Sequence, residues 1–333
     1  MRSILISNYL KKAEQVYPAE TREYLKENAG LDDRIYTKDA VMADPSAFHN
    51  VDYLFSTWGM PAMTEEEIQA AFPNVKCLFY SAGTVQTFAR PFLNCGIRVF
   101  SAWAANAVPV AEYTVAQIIL ANTGYFHTSV PATKGDGTGA RQIREQFPGN
   151  YNVNVGIIGV GMIGGLVIDM LKNYKLNVFA YSPSLTEEKA ARLGVKRATI
   201  EEIFANCQVV SNHLANLPQT VGILKKEHFA SMLPYSTFLN TGRGAQVVEA
   251  DLIEALRQRP DIMAVLDVTD PEPPLESSEF YALPNCILTP HIAGSIGQEV
   301  HRMSEYMVAQ FNNVVRNLPT QYEVDCNLLE RMA

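Results

Sequence analysis

One glycine-rich stretch, residues 153–164 (VNVGIIGVGMIG), constrains the fold of this chain more than any other part of the sequence. A run rich in β-branched residues ends in glycines at Gly159, Gly161 and Gly164, and an apolar segment without proline follows. This pattern predicts a strand, a tight turn and a helix. Glycine at these spacings permits a positive φ, a close backbone approach to a diphosphate, and close packing of the helix on the strand. We therefore predict a dinucleotide site here, with an ordinary glycine turn as the alternative.

The start of the helix after this turn adds two residues to the predicted site. The first amide groups of a helix have no partner within the helix, and here they face the diphosphate that such a turn binds. We therefore count Met162 and Ile163 with the three glycines as cofactor-binding residues.

Strand and helix patterns alternate along the whole chain. Apolar runs typical of parallel strands occur at 4–6, 52–57, 76–81, 97–100, 177–181, 208–211, 237–240, 263–266 and 286–288. Helical patterns occur at 11–28, 64–71, 108–121 and 297–318, whereas residues 133–150 are rich in glycine and predict an irregular surface excursion. The alternation predicts an α/β fold with parallel sheets covered by helices on both faces.

The length of the chain, 333 residues, predicts two domains. Residues 103–291 are predicted to form a Rossmann-type, doubly wound dinucleotide-binding domain. Residues 1–102 together with 292–333 are predicted to form a smaller, flavodoxin-like α/β domain for the substrate. The substrate domain is predicted to be discontinuous. The predicted helices of the cofactor domain already cover its sheet, so the amphipathic stretch at 297–318 is expected to pack on the N-terminal domain.

Composition and charge restrict the class of partner. Apolar residues make up 47% of the chain, and the net charge is −8 without basic blocks. This balance disfavours nucleic acid and membrane partners and favours a small-molecule substrate. The first apolar run is too short for a secretory signal or a membrane span, so we expect a cytoplasmic protein. Five scattered cysteines without a C-x-x-C pair predict reduced thiols, and no metal site is expected.

Three polar stretches follow predicted strands in the second half of the chain. They read NTGRG at 240–244, DVTDPEPP at 267–274 and TPHIAG at 289–294. Ligands of open α/β sheets bind at the carboxyl ends of the strands, so these stretches are expected to converge near the nicotinamide end of a cofactor. Thr241 and Asp267 are accordingly predicted to bind the cofactor.

Together with the glycine turn, these motifs resemble the D-2-hydroxyacid dehydrogenase family, also called the D-isomer-specific 2-hydroxyacid dehydrogenases. The resemblance implies that Arg243, Glu272 and His291 form the catalytic set of a NAD(P)-dependent oxidoreductase. The reaction implied is reversible hydride transfer between NAD(P)H and a small 2-oxo acid, which gives a D-2-hydroxy acid. The resemblance also implies a homodimer. His213 matches a family position beside the cofactor, although we favour a structural role for it.

The chemistry independently suits these three side chains. Reduction of an oxo group needs a proton donor, and histidine changes its charge near neutral pH, so His291 is predicted to be the proton donor and acceptor. Glu272 is predicted to hold the imidazole by a charge-assisted hydrogen bond. Arg243 offers a planar fork of donors for a carboxylate and the adjacent carbonyl oxygen. Each of the three residues, taken alone, also has an ordinary structural interpretation. Their occurrence together, in the same order along the chain as in the family, favours a catalytic role.

The end of the second strand of the cofactor domain departs from the family pattern. Ser182 stands where an acidic residue normally binds the ribose hydroxyls of NAD. Without a carboxylate, repulsion of a 2′-phosphate is lost and nearby hydroxyls can donate to it. NADP is therefore the favoured cofactor and NAD the alternative.

The predicted substrate loop, residues 81–87 (SAGTVQT), also departs from the family, because valine replaces a customary second glycine and no acid follows. Backbone amides of Gly83 and Thr84 are expected to bind the substrate carboxylate. Trp58 and Trp103 follow strands and are expected either to line the substrate pocket or to pack in the core. This altered loop leaves open a second function, a cofactor-binding scaffold or sensor without turnover. Formate dehydrogenase is disfavoured, since that relative pairs its histidine with glutamine.

Overall fold

The computed structural model describes residues 1–330 and divides into two compact units. Unit 1 comprises Met1–Asn106 and the described residues from Ser295 to Glu330, and unit 2 comprises Ala107–Gly294. The roles that we predicted for the two domains, substrate binding and cofactor binding, stay predictions at this level.

Thirteen strands lie in the described residues. They are β1 Ser3–Ile6, β2 Leu31–Tyr36, β3 Tyr53–Ser56, β4 Cys77–Tyr80, β5 Arg98–Ser101, β6 Tyr151–Ile158, β7 Lys175–Tyr181, β8 Lys196–Arg197, β9 Val209–Asn212, β10 Thr237–Asn240, β11 Met263–Leu266, β12 Cys286–Leu288 and β13 Glu323–Val324.

Fifteen α-helices accompany these strands within residues 1–330. They are α1 Leu10–Val16, α2 Ala19–Ala29, α3 Lys38–Ala43, α4 Glu65–Ala71, α5 Ala89–Asn94, α6 Trp103–Asn122, α7 Tyr125–Thr133, α8 Gly137–Arg144, α9 Met162–Leu171, α10 Glu187–Leu193, α11 Ile200–Asn206, α12 Lys226–Ala230, α13 Glu249–Gln258, α14 Val300–Val315 and α15 Cys326–Leu329. Short 3-10 helices lie at Pro45–Phe48, Pro218–Thr220, Gly244–Gln246, Glu279–Ala282 and Gly297–Glu299.

Each unit contains one sheet, and the α/β fold class is confirmed. The sheet of unit 1 has the strand order β13-β5-β4-β3-β1-β2, and all its pairs are parallel except the antiparallel edge pair β13 and β5. The sheet of unit 2 has the order β12-β11-β10-β9-β6-β7-β8 with parallel pairs throughout. Because β6 lies in the middle of this second sheet, the turn after it opens at a point where the strand order reverses.

Unit 2 buries both faces of its sheet. The neighbouring residues Phe238 and Leu239 of β10 belong to two different apolar clusters, since successive side chains of a strand point to opposite faces. Helices therefore cover both faces, as a doubly wound sheet requires.

Unit 1 has its own aromatic core, to which the end of the chain contributes. Phe311 of α14 is buried and lies edge-on to Tyr53, Phe55 and Phe79, with ring centroids 5.4, 5.6 and 5.9 Å apart. Val300, Met303 and Met307 of this amphipathic helix are buried in the same core, whereas Leu318 at the end of the predicted stretch lies beyond the helix and is half exposed. The helix thus belongs to the core of unit 1.

Three local predictions were wrong. The predicted helix at 11–28 is two helices, because Pro18 cannot donate a backbone hydrogen bond and interrupts the run. Strand β2 was missed because this edge strand is polar and exposed at its centre, which hides the usual apolar signal. The predicted irregular excursion at 133–150 contains α8, which begins where the carboxylate of Asp136 accepts the Gly139 amide at 2.8 Å.

Helix α6 is the longest helix that the structure describes. It begins at Trp103, five residues before the predicted start of 108, so Pro109 lies inside the helix in its second turn and not in the first turn as expected. Its length and mean hydropathy of 1.2 would allow it to cross a membrane. However, 56% of the most apolar 18-residue stretch of this helix is buried inside the structure, as is usual for a core helix.

Candidate active site

The glycine turn after β6 is shaped by contacts that exclude side chains. Gly159 has a φ of +96°, and a β-carbon there would lie 2.5 Å from the carbonyl oxygen of His213. A β-carbon on Gly164 would lie 2.0 Å from the Gly159 carbonyl oxygen, so α9 packs directly on the turn. A β-carbon on Gly161 would meet no atom within 4 Å. The middle glycine therefore marks the open side of the turn.

The open side of this turn has the features of a diphosphate cradle. Gly161 precedes α9, and no side chain caps the helix at this end. Met162 is 46% exposed, and Ile163 packs partly against the core of unit 2. An uncapped helix start beside an exposed glycine presents unpaired amide groups to an anion. The residues present thus fit the diphosphate of a dinucleotide.

The end of β7 carries hydroxyl groups instead of a carboxylate. The Ser182 hydroxyl lies 3.3 Å from that of Ser184, and both residues are at least partly exposed. The nearest following acid, Glu187, forms an ion pair with Arg197 at 3.1 Å. This edge therefore offers neutral hydroxyl donors and acceptors to a ligand.

His213 is buried beside the glycine turn. Its ring nitrogens lie 2.9 Å from the Ser211 hydroxyl and 3.3 Å from the Thr241 hydroxyl, and burial lowers its pKa to about 3. The ring is therefore neutral near pH 7 and is held inside unit 2. The Thr241 hydroxyl also lies 3.3 Å from that of Thr114. These contacts agree with the structural role that we favour for His213, while cofactor binding by His213 and Thr241 stays a prediction.

Arg243 lies in the loop after β10, and its guanidinium is partly exposed. Its Nη1 donates to the carbonyl oxygen of Gly242 at 2.7 Å, which leaves the rest of the planar fork for a ligand. Two buried amide side chains, Asn240 and Gln246, hold the backbone of Arg243. Gln246 was not predicted as a site residue, although it is a polar residue two positions after Gly244 and directly before an apolar pair.

Glu272 and His291 form a direct pair within unit 2. The imidazole Nδ1 lies 2.6 Å from Glu272 Oε1, although the two residues are 19 positions apart in the sequence. The side chains are 47% exposed for His291 and 41% exposed for Glu272, so both remain accessible to a ligand. The short distance is that of a charge-assisted hydrogen bond, which orients the ring.

Asp267 holds the loop on which His291 stands. Its carboxylate accepts the Thr289 hydroxyl at 2.6 Å and the amides of Ile292 and Ala293 at 2.8 and 2.9 Å. The His291 amide donates to the Asp267 carbonyl oxygen at 3.1 Å, and His291 has a φ of +54°, which is unusual for a residue with a side chain. Only 2% of Asp267 is exposed. We therefore assign Asp267 to support of this loop, and its cofactor contact stays a prediction.

The predicted substrate loop lies in unit 1 after β4. The buried Ser101 hydroxyl is 2.9 Å from the Ala82 carbonyl oxygen and 2.6 Å from that of Gly83, so it can donate to either. Thr84 is exposed, whereas Val85 is fully buried in the core. The valine that replaces the customary glycine thus anchors the loop, and the amide region of Gly83 and Thr84 stays near the surface.

The two tryptophans are half-buried in unit 1. Trp58 packs against the core, and the Lys12 ammonium lies 4.7 Å above its ring. Trp103 contacts Tyr322 edge-on at 5.7 Å. Both therefore pack on the core of unit 1, and their role in substrate binding stays a prediction.

No metal site is evident among residues 1–330. The described residues contain no group of three or more His, Cys, Asp or Glu side chains that could hold a metal ion. All five cysteines are free, and only Cys326 is exposed.

Comparisons with known proteins agree with this geometry. Residues 119–293 match the family model described as D-isomer specific 2-hydroxyacid dehydrogenase, NAD binding domain. The D-3-phosphoglycerate dehydrogenase of Archaeoglobus fulgidus is 28% identical over 237 residues, which are 71% of this chain and 44% of that protein. The chain thus spans less than half the length of this relative.

Solved structures share the fold. A phosphoglycerate oxidoreductase from Rhizobium etli is 17% identical, covers 98% of both chains and superposes with a TM-score of 0.79. The NAD-complexed D-isomer specific 2-hydroxyacid dehydrogenase of Lactobacillus delbrueckii ssp. bulgaricus is 19% identical, covers 98% of this chain and 100% of its own, and has a TM-score of 0.76. Because the matched model covers more than half of the sequence, this chain belongs to the D-isomer specific 2-hydroxyacid dehydrogenase family, and residues 119–293 are its NAD-binding domain.

Proposed function

We propose that this protein is a NAD(P)-dependent 2-oxo acid reductase that works reversibly as a D-2-hydroxyacid dehydrogenase. The observation that carries the proposal is the 2.6 Å contact between His291 Nδ1 and Glu272 Oε1. A pure cofactor sensor needs no oriented proton donor, so this pair favours turnover over the sensor alternative.

Each of the three polar side chains has a separate task in the proposed reaction. Glu272 orients the imidazole through Nδ1, so Nε2 of His291 donates a proton to the oxygen of the substrate as it becomes an alkoxide. Arg243 binds the carboxylate and polarises the adjacent carbonyl group with the donors that Gly242 does not occupy. The chemistry that NAD(P)H would supply when bound at the glycine turn is the hydride for C2 of the oxo acid. In the reverse direction, His291 accepts the proton of the hydroxyl group.

We propose NADP as the preferred form of the cofactor, with NAD as the alternative. The support is the pair of hydroxyls at Ser182 and Ser184 where a ribose-binding carboxylate would repel a 2′-phosphate. Comparison of kcat/KM for NADPH and NADH tests this preference. A higher kcat/KM with NADH would overturn it.

The substrate is proposed to be a small 2-oxo acid whose carboxylate binds the amides of Gly83 and Thr84. The Ser101 hydroxyl supports this loop through its carbonyl groups, and Gly83 is partly exposed and Thr84 is exposed. Trp58 and Trp103 are proposed to form apolar walls of the substrate site. We also propose a cytoplasmic homodimer that binds neither nucleic acid nor membrane, in keeping with the acidic net charge of −8.

The central experiment is an absorbance assay at the nicotinamide band with a panel of 2-oxo acids, glyoxylate and hydroxypyruvate among them. Turnover is expected with at least one acid. His291→Ala is expected to abolish turnover while the cofactor still binds, because the imidazole carries the proton and the glycine turn is untouched. Cofactor binding without turnover on any acid would favour the sensor.

A further inference from the structure

We propose that Gln246 is a positioning residue that couples the loop of Arg243 to the glycine turn of the cofactor site. It does so through a buried network with the side chains of Asn212 and Asn240. The inference rests on the proposed function, because it takes Arg243 as the substrate-binding residue.

Every hydrogen-bonding position of the Gln246 carboxamide is used. Its Nε2 donates to the carbonyl oxygens of Leu214 and Ala215 at 2.7 and 3.0 Å. Its Oε1 accepts from Asn212 Nδ2 at 2.6 Å and from the Arg243 amide at 3.3 Å. The residue is 0% exposed. Because water cannot replace these partners, loss of the carboxamide leaves buried polar groups without a bond.

The same network holds the loop of Arg243 from both backbone groups. Asn240 Nδ2 donates to the Arg243 carbonyl oxygen at 3.1 Å, and Asn240 Oδ1 accepts the Gly242 amide at 3.1 Å. Asn212 donates to that same Oδ1 at 3.0 Å. A β-carbon on Gly242 would lie 2.9 Å from the amide groups of both Asn212 and Gln246. The loop therefore packs so closely against the network that a side chain at position 242 would displace one of these two amides.

The other side of the network reaches the glycine turn. The chain at 213–214 contacts the turn so closely that a β-carbon on Gly159 would lie 2.5 Å from the His213 carbonyl oxygen and 2.7 Å from the Leu214 amide nitrogen. The His213 amide donates to the Ile158 carbonyl oxygen at 2.7 Å. Leu214 in turn is held by Gln246 Nε2. A continuous series of contacts thus joins the turn that binds the diphosphate to the loop that presents Arg243.

The contacts of Gln246 differ from those of a buried amide side chain that only satisfies nearby backbone carbonyl groups. Gln246 bonds two separate loops that follow β9 and β10, and both loops belong to the proposed site. Asn285 is a buried amide of the ordinary kind. Its Nδ2 lies 2.9 to 3.1 Å from the carbonyl oxygens of Leu256, Arg259 and Ile262, and it precedes β12 at the opposite end of the sheet. Asn285→Leu is therefore the matched control for Gln246→Leu.

The test compares these two variants in the full-length protein. Gln246→Leu is expected to lower kcat/KM for the best 2-oxo acid about tenfold and to raise the Kd of the cofactor about tenfold, because buried hydrogen bonds at both loops are lost. Asn285→Leu is expected to lower the Tm comparably and to leave kcat/KM and the cofactor Kd unchanged. Equal kinetic effects in the two variants, or no kinetic effect of Gln246→Leu, would overturn the proposal.

A second measurement decides whether Gln246 acts through Arg243. In an Arg243→Lys background, Gln246→Leu is expected to change kcat/KM less than about twofold, since the fork that Gln246 positions is already absent. The full tenfold loss in that background would contradict positioning. If the wild-type protein reduces no 2-oxo acid, the proposed function fails, and the cofactor Kd of Gln246→Leu against Asn285→Leu still tests the coupling to the turn.

Discussion

At the scale of single residues, the charge of Glu272 is predicted to matter more than its shape. Glu272→Gln keeps a hydrogen-bond acceptor near His291 but removes the charge that stabilises the imidazolium, so kcat is expected to fall about 10²-fold. The cofactor Kd is expected to stay unchanged, because the glycine turn lies elsewhere in unit 2. Steady-state kinetics and a fluorescence titration measure the two quantities.

Asp270→Asn is the control for this change, since it neutralises an exposed carboxylate two positions away on the same loop. It is expected to leave kcat within about twofold of the wild type, because only the carboxylate bonded to the ring acts on the reaction. Equal losses in the two variants would contradict a specific role for Glu272 and would indicate a general effect of loop charge.

His213 is predicted to make stability depend on pH. Burial lowers its pKa from 6.5 to about 3, so between these values the unfolded chain binds a proton that the folded chain does not. This contribution to stability is present above pH 6.5 and is lost as the pH falls toward 3, by at most about 1.4 kcal/mol per pH unit. His213→Gln is therefore expected to lose less stability than the wild type between pH 7 and pH 5, as measured by urea unfolding with circular dichroism. Parallel losses in the two proteins would contradict the prediction.

At the scale of elements, the packing of α9 on β6 is predicted to depend on Gly164 and not on its neighbour Gly165. Gly164→Ala would place a β-carbon 2.0 Å from the Gly159 carbonyl oxygen, so the helix must move away from the turn and cofactor affinity is expected to fall at least about tenfold. Gly165→Ala meets no atom within 4 Å and is expected to preserve cofactor affinity while it stabilises the helix by about 0.5–1 kcal/mol. Cofactor titration and thermal unfolding distinguish the two variants. Unchanged affinity in Gly164→Ala would show that the turn tolerates the displacement.

The elements themselves were largely predictable from local sequence patterns. Buried parallel strands such as β10 and β11 are short apolar runs in the sequence. The helical pattern predicted at 64–71 corresponds to α4, which begins with a capping box of Thr64 and Glu67. The errors fall where local signals are weak. Strand β2 is a polar edge strand, and α8 contains two glycines, Gly137 and Gly139, that disfavour a helix in isolation.

At the scale of the whole molecule, helix α14 is predicted to stabilise unit 1 although it lies about 200 residues or more after strands β1 to β5 of that unit in the sequence. Phe311→Ala removes a fully buried ring from the aromatic core and is expected to lower the free energy of unfolding by about 3–5 kcal/mol. Both tryptophans of the chain, Trp58 and Trp103, lie in unit 1, so tryptophan fluorescence during urea unfolding reports on this unit.

The control for this prediction is Leu318→Ala, which truncates an apolar side chain that is half exposed just after α14. It is expected to change the free energy of unfolding by less than about 0.5 kcal/mol, since little apolar surface is lost. If Phe311→Ala leaves the urea midpoint of the fluorescence transition unchanged, the helix does not contribute to the stability of this core.

The sequence by itself determined the α/β class and the chemical groups of the candidate site. Glycine spacing, strand ends and the side chains of Arg243, Glu272 and His291 are local properties, and the order of the motifs carries their resemblance to the family. Only the tertiary structure decided how these groups are held. The carboxylate of Asp267 points to the His291 loop, His213 is buried and neutral, and Gln246 joins two loops, because each arrangement depends on contacts between segments 20 or more residues apart, which no local pattern encodes.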